Sequence, residues 1–283
     1  MTVTLDPRRT AARPDLADIR LDGRVAAERF VETRPMSAVL PVVEVYRRPD
    51  AGAPVDTQLL FGEAVRVLET RDGWSWLQAE ADGYVGYVRA ETLGEPVEAT
   101  HRVTALTTFV YPEPELRTVP LFTLSMGSRL RLTGETETRG LSYSALAGGG
   151  FIVTGHTAPV DAHVPDYVAV AETFLHVPYR WAGRSAFGID CSGLVQLAMA
   201  MTGRSAPRDS DMQQAEIGTE LADDAPLQRG DLVFWSGHVG IMLDAEMLLH
   251  SNGKTMDTSV EPLAGAIARI EPLYGRPTGR RRP

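Results

Sequence analysis

One cysteine among 283 residues, Cys191, excludes any internal disulfide, which matches a reducing compartment. Lysine is as scarce: of 28 basic residues only Lys254 is lysine. Positive charge is short overall, since 37 acids outnumber those bases and leave a formal charge of -9. With no excess positive field to release phosphate counterions, nucleic acid is not expected as a partner. Long hydrophobic runs are missing too. The longest charge-free stretch, residues 140–160, carries five glycines and a proline and reads as a Gly-rich turn between short strands, so no membrane span is predicted. The start, MTVTLDPRRTAARPD, lacks the apolar core of about 7–15 residues of a secretory signal, so the expected compartment is the cytoplasm. There is no Cys-x-x-Cys and no His-x-x-x-His, so no metal is expected, and no cofactor.

What is present suits an ordinary globular chain of two or three domains: 43% hydrophobic and 23% charged residues. Residues 1–35 alternate arginines with acids and read as a strap or short helix. Residues 36–98 run in short alternating stretches, AVLPVVEVYRRP, DTQLLFGEAVRVLET and GWSWLQAEADGYVGYVRAETL, with turn signals every 8–12 residues or so, the pattern of a small all-β barrel. Residues 99–159 repeat the order more weakly and predict a second barrel. From residue 160 to 283 the period lengthens: helices are predicted over 162–176 and 192–201, the second capped by Asp190 and stopped by Gly203. Three strand-like runs follow, GDLVFW, HVGIML and EMLLHS. Helices followed by strands indicate an α+β domain.

Cys191 sits in the first turn of the predicted helix, where unpaired N–H groups and the positive dipole end favour thiolate over thiol. Gly188 and Gly193 are expected to let a substrate approach the backbone. A thiolate needs a base, and the base needs an orienting group. His238 opens one predicted strand and His250, twelve residues on, closes the next; a hairpin would set the rings side by side.

These residues stand in a longer pattern: Pro-Tyr-x-Trp-Ala-Gly at 178–183, Asp-Cys-Ser-Gly-Leu-Val at 190–195, Gly-Asp-Leu-Val-Phe-Trp at 230–235, Gly-His-Val-Gly-Ile at 237–241 and His-Ser-x-Gly at 250–253. Over about residues 160–273 this resembles the NlpC-type bacterial cell-wall cysteine peptidases, which have a circularly rearranged papain-like fold. The resemblance implies Cys191 as nucleophile, His238 as its base, His250 as the group orienting that base, and Tyr179 facing the reacting carbonyl. Trp181 and Ser192 belong to the same cleft by adjacency, with a core aromatic and a first-turn helix serine as the plain alternatives. The Arg-Asp-Ser-x-x-Gln stretch at 208–213 is similar to members that cleave γ-D-glutamyl-diamino-acid bonds in murein peptides with a free N-terminal L-alanine. There it assigns Asp209 to the α-amine and Ser210 to the neighbouring carboxylate, with a common Asp-Ser turn pair as the plain alternative. Segment 36–98 resembles bacterial Src-homology-3-like domains, which in that subgroup bring a glutamate and a tyrosine to the amine, here Glu63 and Tyr84. A solvated turn glutamate and a barrel-core tyrosine are the alternatives for these two. The implied activity is hydrolysis of the γ-D-Glu–diaminopimelate (or Lys) bond of murein tri- or tetrapeptides in cell-wall peptide recycling. A secreted hydrolase of intact wall, a non-enzymatic wall-binding module and an acyltransferase are the rival readings.

Overall fold

The computed structural model describes residues 5–283; the opening residues on which the reading of the N-terminus partly rests lie outside that range. The chain divides into two compact units, one ending at Val160 and one running from Asp161 to Pro283.

In the first unit, a seven-stranded antiparallel sheet has the order Val55–Leu60, Val42–Tyr46, Val85–Arg89, Trp74–Ala79, Ala64–Arg71, Arg34–Ala38, Leu93–Gly94. Alternation puts Val43, Val45, Leu59, Val65, Leu77 and Val88 on the buried face. The predicted barrel is not closed by hydrogen bonds among the described residues: the ladder ends on Leu93–Gly94, a strand of two residues that is too short to add a closing ladder. Residues 5–34 form a strap without an α-helix. Its short parallel pair Ala17–Asp18 and Phe30–Val31 anchors a satellite core of Ala11, Leu16, Leu68 and Trp76, with the Arg13 guanidinium 4.3 Å over the Trp76 ring.

The second β segment follows the same order, with two strands, Arg129–Leu130 and Leu132–Thr138, where the first has Ala64–Arg71 alone. Its five-stranded sheet runs Phe122–Ser125, Thr107–Tyr111, Phe151–Val153, Leu141–Leu146, Leu132–Thr138, and a three-stranded sheet runs Arg129–Leu130, His101–Val103, Thr157–Pro159. The ladder that is continuous in the first copy is broken here at Arg131, between Leu130 and Leu132. The charge-free stretch forms the strands Leu141–Leu146 and Phe151–Val153, joined by a turn in which Gly149 and Gly150 take φ of 97° and 89°. Among the described residues no helix is long and apolar enough to cross a membrane. The copies touch where Arg129 N–H donates to the Phe61 carbonyl. A Cβ on Gly62 would stand 2.0 Å from the Arg129 carbonyl oxygen, so this close approach admits only glycine.

In the second unit, four helices flank a six-stranded antiparallel sheet. Helix α1, Tyr167–Glu172, is shorter than predicted. It starts late because Pro165 disfavours helix before it and Asp166 caps the Val168 N–H; it ends in turns that leave His176 at φ 67°. Helix α2, Cys191–Met201, is capped by Asp190 accepting the Gly193 N–H at 2.7 Å, and Gly203 stops it at φ 77°. Helices α3, Ser210–Glu216, and α4, Leu263–Tyr274, complete the set. The sheet order is Thr219–Glu220, Gly279–Arg282, Leu232–Trp235, His238–Met242, Met247–Asn252, Asp257–Pro262. Its three central strands are the three predicted runs. Helix α2, buried but for Ala200, packs on this sheet, placing Cys191 on the side of the strand that begins at His238.

Candidate active site

The sequence around Cys191 folds tightly because glycines allow it. A Cβ on Gly193 would stand 2.3 Å from the Gly183 carbonyl oxygen, and one on Gly188 would meet the Arg180 side chain at 2.7 Å. These glycines therefore serve contact between backbone and neighbouring chain, which corrects the expectation that they open space for substrate. Beneath the helix start, Arg208, 1% exposed, holds Asp190 with both arms: Nη1 donates to Oδ1 at 3.0 Å and Nη2 to Oδ2 at 2.6 Å. Nη1 also donates to the Ser192 hydroxyl at 2.8 Å, and that hydroxyl donates to Asp190. Ser192 is thus tied inward, the plainer of its two readings. Gln213, fully buried, extends the network by donating to the Ser192 and Pro207 carbonyls, each at 2.9 Å.

Cys191 is buried at the start of α2, which packs against the strand His238–Met242. Burial and the adjacent Asp190 push the thiol up to about 12. The expected thiolate is not the resting state: removal from water outweighs the hydrogen bonds and dipole of the helix start.

His238 and His250 come together across the hairpin. The pairing of Ile241 with Leu249 sets the register, the ring centroids lie 5.1 Å apart, and His238 Nε2 is 2.9 Å from His250 Nδ1. Burial and the neighbouring His250 press the His238 imidazole down to about 3. His250, 1% exposed, is lowered by burial to about 4 against the opposing pull of Glu261. Both rings are neutral at rest.

Two residues the sequence did not single out lie behind them. Glu261 Oε1 is 2.9 Å from His250 Nε2, off the line of an ideal hydrogen bond, and Arg269 on α4 pairs with Glu261. Only strand register could have revealed them: His250 faces Ser259, and Glu261, two residues on, is its diagonal neighbour on the same face.

Tyr179 is half-buried, its N–H donating to the Met256 carbonyl. Its phenol is pushed upward by burial and then by Cys191 and Asp190, so it stays protonated and able to donate. Trp181 is 72% exposed, not a core aromatic. Asp209 occupies the cap position of α3, half-buried, and Ser210 is the buried first residue of that helix. Glu63 and Tyr84 belong to the first unit, both buried. The Glu63 carboxylate accepts the Leu60 N–H at 2.9 Å, which excludes a solvated turn glutamate; the Tyr84 N–H donates to Asp82. Among the described residues no cluster of His, Cys, Asp and Glu could hold a metal ion.

Residues 176–270 match the NlpC/P60 family, and residues 45–93 match the bacterial dipeptidyl-peptidase Sh3 domain. The chain is 28% identical to dipeptidyl-peptidase 6 of Lysinibacillus sphaericus, over 82% of this chain and 92% of that one. It is 28% identical to the gamma-D-glutamyl-L-lysine dipeptidyl-peptidase of Bacillus subtilis, over 72% and 75% of the two chains. In structure it is similar to an NlpC/P60 family protein from Bacillus cereus, with a TM-score of 0.73, 22% identity, and coverage of 88% of this chain and 99% of that one. That likeness carries the papain-like fold. Residues 176–270 are thus an NlpC/P60 domain that carries Cys191 and the histidine pair, a bacterial dipeptidyl-peptidase Sh3 domain precedes it in the sequence, and the protein is a peptidase.

Proposed function

We propose that the chain is a cysteine peptidase that hydrolyses the bond between γ-D-glutamate and diaminopimelate or lysine in murein peptides bearing a free N-terminal L-alanine, in the cytoplasmic recycling of wall fragments. The observation that carries the reading is the histidine pair, His238 Nε2 2.9 Å from His250 Nδ1, on the sheet against which α2 packs with the buried Cys191 at its start. The name of the Bacillus subtilis relative and the Arg208-Asp209-Ser210 stretch support the choice of bond.

In this mechanism the resting pair is a neutral thiol and a neutral imidazole, so proton transfer accompanies attack. The Cys191 proton moves to His238 as sulfur bonds to the carbonyl carbon. The oxyanion is met by the Cys191 backbone N–H at the start of α2 and by the protonated Tyr179 hydroxyl. His238 then gives its proton to the leaving amine, the C–N bond breaks, and water, deprotonated by the same ring, hydrolyses the thioester. Trp181 is proposed as a wall of the cleft. Asp209 is the proposed partner of the substrate's ammonium and Ser210 of its carboxylate.

We also infer that residues 99–159 are a second SH3-like module. The corresponding strand order in the two segments, apart from the break at Arg131, supports this, and so does a single 3-10 turn at the corresponding place, Ala90–Thr92 and Thr154–His156.

The test is incubation with L-Ala-γ-D-Glu-diaminopimelate, its lysine analogue, the N-acetylated tripeptide and purified sacculi, read by mass spectrometry. Cleavage of a free tripeptide alone is expected, because acetylation removes the ammonium and strands a carboxylate, a loss of roughly a thousandfold. Release from sacculi would instead select the wall hydrolase.

A further inference from the structure

The hydrogen-bonding inventory of two histidines fixes more than their proximity. Of the facing atoms His238 Nε2 and His250 Nδ1, 2.9 Å apart, one must carry the proton and the other must lack it. If Nδ1 of His250 held it, His238 would carry its own proton on Nδ1, the one nitrogen left for receiving the Cys191 proton, and the base would be blocked. The productive arrangement puts protons on Nε2 of both rings. Something has to select it, and the atom beside His250 Nε2 is a carboxylate oxygen of Glu261, 2.9 Å away.

We propose that Glu261 is a positioning residue for catalysis: it holds the proton of His250 on Nε2, and through His250 it keeps His238 Nδ1 open as the base. Arg269 holds Glu261 ionised and in place; the two are paired side chain to side chain. This inference rests on the catalytic roles proposed above.

The geometry excludes another source of the bias. The charged and titratable groups bearing on His250 are Glu261 and Asp257 from its neighbouring strand, Arg269 from α4, and His238 from the strand on its other side. Arg269 is a cation and repels a proton. Asp257 is engaged on another side, 3.8 Å from His176 Nδ1, and Glu261 is the carboxylate at contact distance from Nε2. The ring is fully buried, so water cannot substitute. A carboxylate that fixes a tautomer without accepting the proton is a role familiar from serine peptidases, and here it acts one ring further from the nucleophile.

Two readouts test this, one of them needing no substrate. Cys191 is the only thiol, so the rate of its alkylation by iodoacetamide against pH reports the thiol–imidazole pair. Glu261→Gln is expected to lower alkylation at neutral pH and move the profile, because its amide can present either an oxygen or an N–H to His250. It should also lower kcat on L-Ala-γ-D-Glu-L-Lys by about tenfold to a hundredfold, less than the ~10⁴ lost when a carboxylate touching the base itself is changed. KM should stay nearly constant. In a His250→Asn background, Glu261→Gln should change neither readout further, since there is no tautomer left to select. Arg269→Gln should show a weaker loss in the same direction, and it stands in for Glu261→Gln should that variant not fold.

Wild-type kcat in the folded Glu261→Gln variant, or an equal loss in the His250→Asn background, would overturn the proposal. Cys191→Ala separates the two levels. If it stays active, the catalytic reading itself fails; if it is inactive while Glu261→Gln is unimpaired, only the positioning role does.

Discussion

Replacing Arg208 by methionine keeps most of the volume of a side chain that is 1% exposed and removes its charge. Asp190, whose side chain is 10% exposed, then loses both arms of its partner at 3.0 and 2.6 Å. It still caps Gly193 N–H and still accepts the Ser192 hydroxyl, but its negative charge has no counterion at that depth. Breaking a buried pair from one side costs about 3–5 kcal/mol, because the stranded ion keeps its desolvation penalty. For a unit of about 120 residues each kcal/mol moves the midpoint by roughly 4 °C, so the expected fall is about 10–20 °C. Calorimetry of the purified variant measures it. The control is Arg229→Met: Arg229 pairs Asp166 and Glu172 with its side chain 40% exposed, where such pairs are worth about 1 kcal/mol or less. A second consequence is chemical. An uncompensated Asp190 one residue from Cys191 holds the thiol more firmly protonated, so iodoacetamide should react more slowly even at temperatures where the variant is fully folded. If the Arg208 variant melts no lower than the Arg229 control, the buried pair is not what secures the start of α2, and the reasoning fails.

Other outcomes follow from the same geometry. Cys191→Ala and His238→Ala should each abolish tripeptide cleavage by 10³ or so while His250→Gln keeps measurable turnover, since an orienting group can be partly mimicked and a proton carrier cannot. Comparable, complete losses at both histidines would redistribute the roles. Acid should destabilise the protein before ordinary carboxylates titrate: His238 and His250 stay neutral in the fold down to about 3 and about 4, against 6.5 ordinarily. Below pH 6.5 the unfolded chain therefore takes up protons that the folded one refuses, at a cost of up to about 1.4 kcal/mol per histidine per pH unit, and no cost arises above 6.5. Denaturant titrations at pH 7.5, 6 and 5 measure the slope, and a flat profile would contradict the burial of both rings. Gly62→Ala, at φ 74° and 2.0 Å from a carbonyl oxygen, should destabilise the first unit by at least about 1–3 kcal/mol, whereas Gly134→Ala, with open space around it, should be near neutral by thermal melting.

Short-range features were the legible ones. The Asp190 cap, the helix after Cys191 and the stop at Gly203 are written within a few residues of one another, and the hairpin that pairs His238 with His250 spans twelve. Long-range partners were not. Arg208 stood inside a recognised stretch, but nothing local said that its guanidinium would turn back eighteen residues to Asp190. Glu261 and Arg269 depend on the register of a strand beyond the turn after Asn252. The strand Gly279–Arg282 has no apolar alternation to announce it; the ladder to Leu232–Phe234 and the pair Arg282–Asp231 hold it in the sheet. The thiol's protonation escaped for a related reason: a helix start is visible in sequence, but the depth at which it is buried is a property of the whole unit.

The buried, protonated Cys191 also bears on how the protein meets oxidants. Peroxide attacks thiolate, and a chain with one cysteine has no second thiol to trap a sulfenic acid as an internal disulfide and so protect it from further, irreversible oxidation. In the proposed mechanism, a sulfur kept as a neutral, buried thiol takes its reactive form only when substrate is attacked. On that mechanism, the same burial that slows the proposed nucleophile at rest preserves it between turnovers.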